Sequence, residues 1–528
     1  MDGTVRPGLH DRTEMTTLRN IECVPHFIIP SQEPVDSQAR DHYFYFVSGR
    51  RQDQQLKFRK LSNLLNVSAN LRLVTRLKTV NPTHFLCARY PHPKSLPSGK
   101  GLAVALAGSI SGVSHLRNLS STISNLMETI ERRNVLALQG KYCKDCIIYT
   151  EDVEDEAVGT VGDLLGNPLF RDTRIRVMPD VHQGKGIVIG FTCPVTSFIN
   201  PQHVGLDIGC GIDLELFDRP LDSKDYALFE HRLRMEIPSG FNINRERQFE
   251  MKPFLKYLRQ ELSSARQSSG GLVNHLELTG ERELEDWIRS VGMEKGVFYK
   301  SVGSIGGGNH FMEYDEGDGR FAFTVHTGSR HLGLKVFNKW DRIAQRNPNA
   351  PGYLVDENLK GYLTDMVIAQ AYARFNREVV LGKAAKIMHK INGARVEGYI
   401  RTTHNYVDFR DMILRKGAIR SYAGELMVIP FNMRDGIVVC EGRSNPEWNF
   451  SAPHGSGRCM SRANAKRNIS MVEYHRQMEG IYTTSVTPET LDEAPGAYKD
   501  TDSILESLGQ TCAVQYRMLP KINIKNAE

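Results

Sequence analysis

Glycine-rich turns alternate with short apolar runs from about Ile147 to the C-terminus, and this texture limits the folds that the chain can adopt. Short apolar runs that end at glycine predict β-strands, so the polar residues beside them are expected at strand ends. The pattern is clearest in four stretches: DVHQGKGIVIGF from Asp180, VGLDIGCGIDLELF from Val204, SVGSIGGGNHFMEY from Ser301 and FAFTVHTGSRHLG from Phe321.

Helical patterns lie between the predicted strands. ELEDWIRSVG from Glu283 and the long stretch from Leu363 to Ile391 both repeat apolar residues at helical spacing. Strands mixed irregularly with helices predict an α+β fold, in which one large domain of mixed sheets flanked by helices covers residues 136–528.

Residues 1–135 are expected to form a basic N-terminal extension or accessory domain. Within it, HYFYFV from His42 predicts a strand and STISNLMETIERR from Ser121 predicts a helix. The formal net charge of the whole chain is +6, and residues 1–100 alone hold 15 Lys/Arg against 8 Asp/Glu. This excess fits a polyanionic partner, but a solvated surface explains it equally well.

Composition argues against several classes of protein. The most apolar stretch, GLAVALAGSISGV from Gly101, is shorter than the roughly 20 residues of a membrane helix, and the N-terminus lacks an apolar signal region. The nine scattered cysteines predict reduced thiols, and the CxxC at Cys143 and Cys146 has no second pair at zinc-ribbon spacing. We therefore expect a cytoplasmic or nuclear protein with no membrane partner.

A carboxylate and a thiol stand three residues apart in GLDIGCG, as Asp207 and Cys210. Together they offer hard oxygen and soft sulfur to a divalent cation, although alone they fit a turn-forming aspartate beside a buried cysteine equally well. His310, His326 and His404 also stand beside small polar residues. All five residues together form a ligand set adequate for one or two metal ions, with the thiolate able to bridge.

The loop GSIGGGNHF has the composition of a phosphate-binding turn. Its backbone amides can surround a phosphate, and Asn309 and Glu313 are placed to hydrogen-bond a nucleotide. The loop lacks the Lys-Ser/Thr ending of a Walker motif and the acidic residue of a dinucleotide-binding motif. Any nucleotide site here is unconventional.

His454 stands between proline and glycine in SAPHGSGRCMSR, with few apolar neighbours. A neutral imidazole can attack phosphorus when the phosphate charge is neutralised, and Arg458 offers a planar fork for the same phosphate. The alternative is a histidine that caps a helix starting near MSRANAKR.

These motifs, in this order, resemble the RtcB family of RNA ligases. The resemblance runs from about Ile147 to the C-terminus. It is carried by MPDVHQGKG, GLDIGCG, GGGNHFME, HTGSRHLG, HN, RKGA, HGSGRCMSR, DEAPGAYKD and INIKN.

The resemblance implies an enzyme that joins RNA ending in a 2′,3′-cyclic phosphate or 3′-phosphate to RNA with a 5′-hydroxyl, in tRNA splicing or RNA repair. It implies that His454 becomes guanylylated and that Asp180 serves the RNA side. Two Mn²⁺ ions would be held by Asp207, Cys210, His310, His326 and His404. The residues implied to bind GTP are Asn309, His310, Phe311, Met312, Glu313, His404, Asn405, Asn432, His454, Gly455, Ser456, Gly457, Arg458, Tyr498 and Lys525.

One stretch departs from the family pattern. Where the family usually has Pro-Gly-Ser-Met followed by a second serine, this chain has IPFNMRDGI, with Phe431, Asn432 and Ile437. Asn432 can still donate hydrogen bonds, but Phe431 adds bulk and Ile437 removes a hydroxyl. Two alternatives therefore stay open: a metal-dependent phosphoesterase or nucleotidyl transferase with an altered pocket, and a non-catalytic RNA-binding subunit. An activating protein partner is also left open.

Overall fold

The computed structural model describes residues 42–48, 74–80, 83–90 and 135–526. The chain divides into two compact units, Met1–Gly112 and Val113–Glu528. In the first unit, an antiparallel sheet has the order β1-β3-β2, formed by β1 (His42–Ser48), β2 (Val74–Val80) and β3 (Thr83–Tyr90). The strand predicted from His42 is therefore confirmed, and the helix predicted from Ser121 lies outside the described residues.

A seven-stranded antiparallel sheet organises the second unit. Its strands are β9 (Gly211–Phe217), β10 (Phe311–Gly317), β11 (Arg320–Thr327), β13 (Val396–Thr403), β17 (Leu426–Pro430), β18 (Ile437–Gly442) and β20 (Cys512–Ile524). They follow the order β13-β9-β11-β10-β20-β18-β17. The end strands β13 and β17 also contact each other, so the sheet nearly closes around an apolar interior.

A six-stranded sheet lies in the same unit and has the order β14-β15-β7-β6-β5-β4. Its strands are β4 (Leu136–Leu138), β5 (Asp145–Ile148), β6 (Arg174–His182), β7 (Ile189–Pro194), β14 (Asn405–Asp408) and β15 (Ile413–Lys416). The described residues also form two short strand pairs: β8 (Phe198–Ile199) with β12 (Leu354–Val355), and β16 (Ala418–Arg420) with β19 (Ser451–Pro453).

The part of the second unit that the structure describes also contains α-helices. They are α1 (Asp155–Leu165), α2 (Tyr226–Glu236), α3 (Met251–Ser268), α4 (Glu281–Ser290), α5 (Lys295–Ser301), α6 (His331–Gln345), α7 (Asp356–Asn392), α8 (Arg462–Asn468), α9 (Met471–Gln477) and α10 (Thr501–Ser507). Helix α4 confirms the prediction from Glu283, and the predicted long helix is α7, which begins seven residues earlier than expected, at Asp356. This α+β architecture confirms the predicted fold class.

Helix α7 connects the two halves of the core. Its first half joins a hydrophobic cluster with the six-stranded sheet, α3, α4 and α6, and its second half packs with α2 on β9, β10 and β11. With apolar residues buried along so much of its length, α7 fixes the two sheets relative to each other. None of the helices in the described part of the chain has the length and apolar character that a membrane span requires.

Candidate active site

The five candidate metal ligands lie at the ends of strands in the seven-stranded sheet. Asp207 and Cys210 occupy the turn before β9, and His310 directly precedes β10. His326 is the next-to-last residue of β11, and His404 directly follows β13.

Strand register explains why these ligands meet. Phe311 pairs with His326, while Gly211 pairs with Thr327 on one side and with Thr403 on the other. The start of β9 and β10 and the end of β11 and β13 therefore share one edge of the sheet, because neighbouring strands are antiparallel.

The ligand atoms form two groups that share Cys210. The Sγ atom of Cys210 lies 3.2 Å from Nε2 of His326 and 3.3 Å from Nε2 of His310. His326 Nε2 is 3.3 Å from His404 Nε2, and His310 Nε2 is 2.9 Å from Asp207 Oδ2. Within each group the ligand atoms lie no more than 4.8 Å apart, so each group can surround one ion.

Hydrogen bonding leaves the metal-facing nitrogen of His326 free. Its Nδ1 lies 3.1 Å from the carbonyl oxygen of Asn309. A carbonyl only accepts, so Nδ1 carries the hydrogen and Nε2 presents a lone pair to Cys210 and His404. Thiol, carboxylate and imidazole groups that converge in this way could hold divalent transition-metal ions.

Burial disfavours the charged forms of His326, His404 and Cys210 in this cluster. It lowers the pKa of His326 and His404 well below the usual range, and their neighbouring histidines lower both values further. Burial also raises the pKa of the Cys210 thiol, and the carboxylate of Asp207 adds to that increase. Burial alone would raise the pKa of Asp207, but its hydrogen bonds with His310 and the Ser329 amide lower it.

His454 stands next to this cluster and is held by Asp180. Its Nδ1 donates to Asp180 Oδ2 at 2.6 Å, and its backbone N–H donates to the same oxygen at 3.1 Å. The ring centres of His454 and His404 are 5.0 Å apart. This arrangement directs the unprotonated Nε2 away from the carboxylate, as a nucleophile requires. The N-cap of the helix that follows is Ser461, so the capping role considered for His454 is wrong.

A cavity of about 750 Å³ opens beside His454 and the metal ligands. The predicted site residues that line it are Asn309, Phe311, Glu313, His326, His404, Asn432, His454, Gly455, Ser456, Gly457, Arg458, Tyr498 and Lys525. Burial, reinforced by Asp315, raises the pKa of Glu313 well above its usual range, and Asn523 donates to Glu313 at 2.6 Å.

Some predicted residues lie elsewhere. Met312 belongs to the hydrophobic cluster on the opposite face of β10, and the Asn405 side chain accepts the backbone N–H of Gly417 outside the cavity lining. Asn432 does line the cavity, but its amide also closes its own turn: it donates to Asp435 and accepts the N–H groups of Arg434 and Asp435.

The substituted stretch IPFNMRDGI forms the hairpin between β17 and β18. Phe431 is buried and also borders the cavity. Ile437 lies in the apolar interior of the seven-stranded sheet and is not part of the cavity lining. The change at Phe431 therefore affects the shape of the cavity more directly than the change at Ile437.

Arg458 does not extend freely into the cavity. Its guanidinium donates to the carbonyl oxygens of Asp492 and Met460 and to the carboxylate of Glu493, and it lies over the ring of Tyr498. The planar fork predicted for a phosphate is thus largely engaged by the protein.

Sequence reasoning missed several polar residues around the cavity. His182, Arg462 and Asn523 line it, and Glu493 lies directly behind it. All four stand inside motifs quoted above: MPDVHQGKG, HGSGRCMSR, INIKN and DEAPGAYKD. Their position inside these motifs was the sequence signal that could have identified them as site residues.

The CxxC does not take part in either metal group. Cys143 Sγ donates to the carbonyl of Thr173 at 3.2 Å, and Cys146 is buried. Within the described ranges, the metal-competent groups are the two that share Cys210.

A carboxylate-held histidine beside a possible metal-ligand set and a large cavity defines a site suited to phosphoryl transfer. The family described as tRNA-splicing ligase RtcB matches residues 169–526. This match covers most of the chain, and the chain therefore belongs to the RtcB family.

Named relatives agree with this assignment. The RNA-splicing ligase RtcB of Escherichia coli K12 is 28% identical over 382 residues, covering 66% of this chain and 90% of the relative. The tRNA-splicing ligase RtcB of Pyrobaculum aerophilum is 25% identical over 404 residues, covering 63% and 83%. The RNA-splicing ligase RtcB of Mycobacterium tuberculosis is 26% identical over 404 residues, covering 63% and 92%.

Proposed function

We propose that this protein is a GTP- and Mn²⁺-dependent RNA ligase that joins 2′,3′-cyclic phosphate or 3′-phosphate ends to 5′-hydroxyl ends, in tRNA splicing or RNA repair. Family membership supports RNA ligation. The single observation that carries the chemistry is the Asp180–His454 contact at 2.6 Å, directly beside the metal-competent cluster.

The metal residues are proposed to act in two sets. Cys210, His326 and His404 would hold one ion, and Asp207, Cys210 and His310 would hold the other. Such ions neutralise phosphate charge when bound, which makes phosphorus accessible to a neutral nucleophile.

His454 is the proposed nucleophile towards GTP. Asp180 holds Nδ1–H, so Nε2 attacks the α-phosphorus; the N–P bond forms as the bond to pyrophosphate breaks. Asp180 also stabilises the positive charge that develops on the ring. Water first opens a 2′,3′-cyclic phosphate end to a 3′-phosphate. An oxygen of the 3′-phosphate then attacks the phosphorus of the adduct, and the bond to His454 Nε2 breaks. Finally, the 5′-hydroxyl oxygen attacks the 3′-phosphorus, loses its proton and displaces GMP, which forms the new phosphodiester.

The cavity volume is sufficient for a nucleotide beside the metal cluster. Asn309, Glu313 and Lys525 lie around it and supply hydrogen-bonding groups for GTP, while Tyr498 presents its ring. Phe431 occupies part of the cavity wall where the family usually has glycine. The choice between guanine and other bases is therefore the part of the proposal that this substitution affects most.

The deciding experiment incubates purified protein with Mn²⁺ and either GTP or ATP, and measures any adduct by intact and peptide mass spectrometry. We expect a GMP adduct on His454 that disappears in His454→Ala. His389→Ala is the matched control, because His389 also donates Nδ1–H to an acceptor, the Ala394 carbonyl, but lies away from the cavity lining.

Each other outcome changes the conclusion. An adduct with ATP in place of GTP would keep the ligase chemistry and reassign the nucleotide. Absence of any adduct, in protein shown to bind Mn²⁺, would favour the phosphoesterase alternative, and ligation of RNA ends would then be absent too.

A further inference from the structure

We propose that Glu493 is a positioning residue of the nucleotide pocket, which acts by holding the side chains that contact the nucleotide. This inference rests on the proposed function, since it assumes that the cavity binds GTP. Glu493 itself is 1% exposed and is not part of the cavity lining, so it acts only through its partners.

Four side chains that line the cavity converge on this one carboxylate. Lys525 Nζ lies 2.9 Å from Glu493 Oε2, and the Tyr498 hydroxyl donates to the same oxygen at 2.7 Å. Arg458 Nη1 is 3.4 Å from Oε1, which also accepts from Arg462.

These contacts orient the Tyr498 ring and the Lys525 ammonium group in the cavity wall. With its hydroxyl held from behind, Tyr498 lies with its ring under the Arg458 guanidinium, whose centre is 5.2 Å from the ring centre. Lys525 Nζ is 5.7 Å from the centre of the Phe311 ring and also donates to the carbonyl of Gly308 at 3.3 Å. Through Lys525 and Tyr498, Glu493 thus helps to position the two aromatic rings and the glycine-rich loop at Gly308.

The charges around Glu493 explain why its carboxylate is needed at this position. Four cations, Arg458, Arg462, Lys466 and Lys525, face the carboxylates of Glu493 and Asp492. The cluster keeps an excess of positive charge at the cavity wall, which suits an anionic nucleotide. Loss of the Glu493 charge would leave Arg458 and Lys525, the two largely buried cations, without their shared anion, so that they repel each other and leave their positions.

A purely structural role is the competing explanation, and the protein contains a matched case. Asp365 is also a buried carboxylate that accepts from several donors, namely Trp287, Trp340 and Lys339. Neither Asp365 nor its three donors line the cavity. Asp365→Asn should therefore reproduce the structural cost of neutralising a buried carboxylate without changing nucleotide binding.

The test compares Glu493→Gln with Asp365→Asn in the full chain. Two quantities are measured: the GTP dissociation constant by calorimetry, in a His454→Ala background, and the KM and maximal rate of adduct formation with His454 present. For Glu493→Gln we expect about a tenfold or larger rise in the dissociation constant and KM for GTP, with the maximal rate changed less than about threefold, since uniform binding is lost. For Asp365→Asn we expect both constants to stay within about twofold.

Tyr498→Phe provides a second variant that keeps the ring and removes only the hydroxyl bound to Glu493. About a threefold rise in KM for GTP is expected, and it tests the proposal if Glu493→Gln fails to fold. Unchanged GTP constants in folded Glu493→Gln, or unchanged constants in Tyr498→Phe, would overturn the proposal. If GTP binds normally but no adduct forms on the wild-type protein, the ligase proposal fails while the calorimetric comparison still decides the role of Glu493. If wild-type protein binds no GTP, both proposals fail.

Discussion

Asp180 Oδ2 lies 2.6 Å from Nδ1 of His454 and 3.1 Å from the backbone nitrogen of the same residue. One carboxylate oxygen thus fixes both the ring and the main chain of the proposed nucleophile. The Asp180 side chain is fully buried, so the strength of this contact is little screened by water.

The Asp180→Asn substitution should slow formation of the covalent His454 adduct by about 100-fold, because a charge-assisted hydrogen bond becomes a neutral one and the amide can favour the wrong tautomer. Single-turnover adduct formation monitored by mass spectrometry gives the rate. Bound metal should remain unchanged, since Asp180 belongs to neither metal group. A wild-type rate in the variant would show that His454 does not depend on Asp180.

Gly417 packs directly against the nucleophile. It has φ of +59°, and an added Cβ would lie 2.1 Å from Ile189 Cγ2 and 3.2 Å from His454 Cε1. We expect Gly417→Ala to lower the adduct rate at least tenfold because His454 must move. Gly424→Ala is the control: Gly424 also has positive φ, at +80°, but its added Cβ meets nothing within 4 Å. Both variants carry about 1–2 kcal/mol of backbone strain, so equal adduct rates would refute the steric argument.

Metal stoichiometry should reveal the shared position of Cys210. Cys210→Ala removes a ligand from both groups, whereas Asp207→Ala and His404→Ala each affect one group. Bound Mn²⁺, measured by equilibrium dialysis and elemental analysis, should fall from two ions to none in the first variant and to one in the others. Cys193→Ala is a control with a buried cysteine outside both groups. Retention of two ions in Cys210→Ala would exclude a bridging role.

Acid should weaken the fold partly through Glu493. Burial alone would raise the pKa of Glu493, but Lys525 and Arg462 bring it down to about 2, compared with 4.5 for an ordinary glutamate. The resulting stabilisation, about 3 kcal/mol, is fully present above pH 4.5 and is lost as the pH falls towards 2. Urea unfolding at pH 6 and pH 3 should therefore show a smaller difference between wild type and Glu493→Gln at pH 3. A difference independent of pH would contradict the low pKa.

We propose that the basic N-terminal extension, residues 1–135, contributes to RNA binding. Its removal should weaken binding of a single-stranded RNA and flatten the dependence of affinity on salt, because fewer counterions are released. Fluorescence anisotropy titrations at several salt concentrations measure both effects. If RNA affinity and its salt dependence stay unchanged, the positive charge of residues 1–135 belongs to a solvated surface and not to an RNA-binding site.

The sequence was sufficient for the fold class and for the identity of most polar groups at the site. Glycine-bounded apolar runs predicted strands with polar ends, and Asp207, Cys210, His310, His326 and His404 all lie at strand ends. Local patterns are informative here because strand propensity and turn chemistry depend on neighbouring residues.

Tertiary structure decided which of these groups meet and how each is used. The register of β9, β10, β11 and β13 brings Cys210 next to His310 and His326, and no sequence spacing encodes that register. Likewise, Met312 faces the core because of the side on which β10 is buried, and the guanidinium of Arg458 is engaged by Glu493, 35 residues away in sequence. Contacts between distant segments depend on how the sheets pack, so hydrogen-bond partners and charge balance could be determined only in three dimensions.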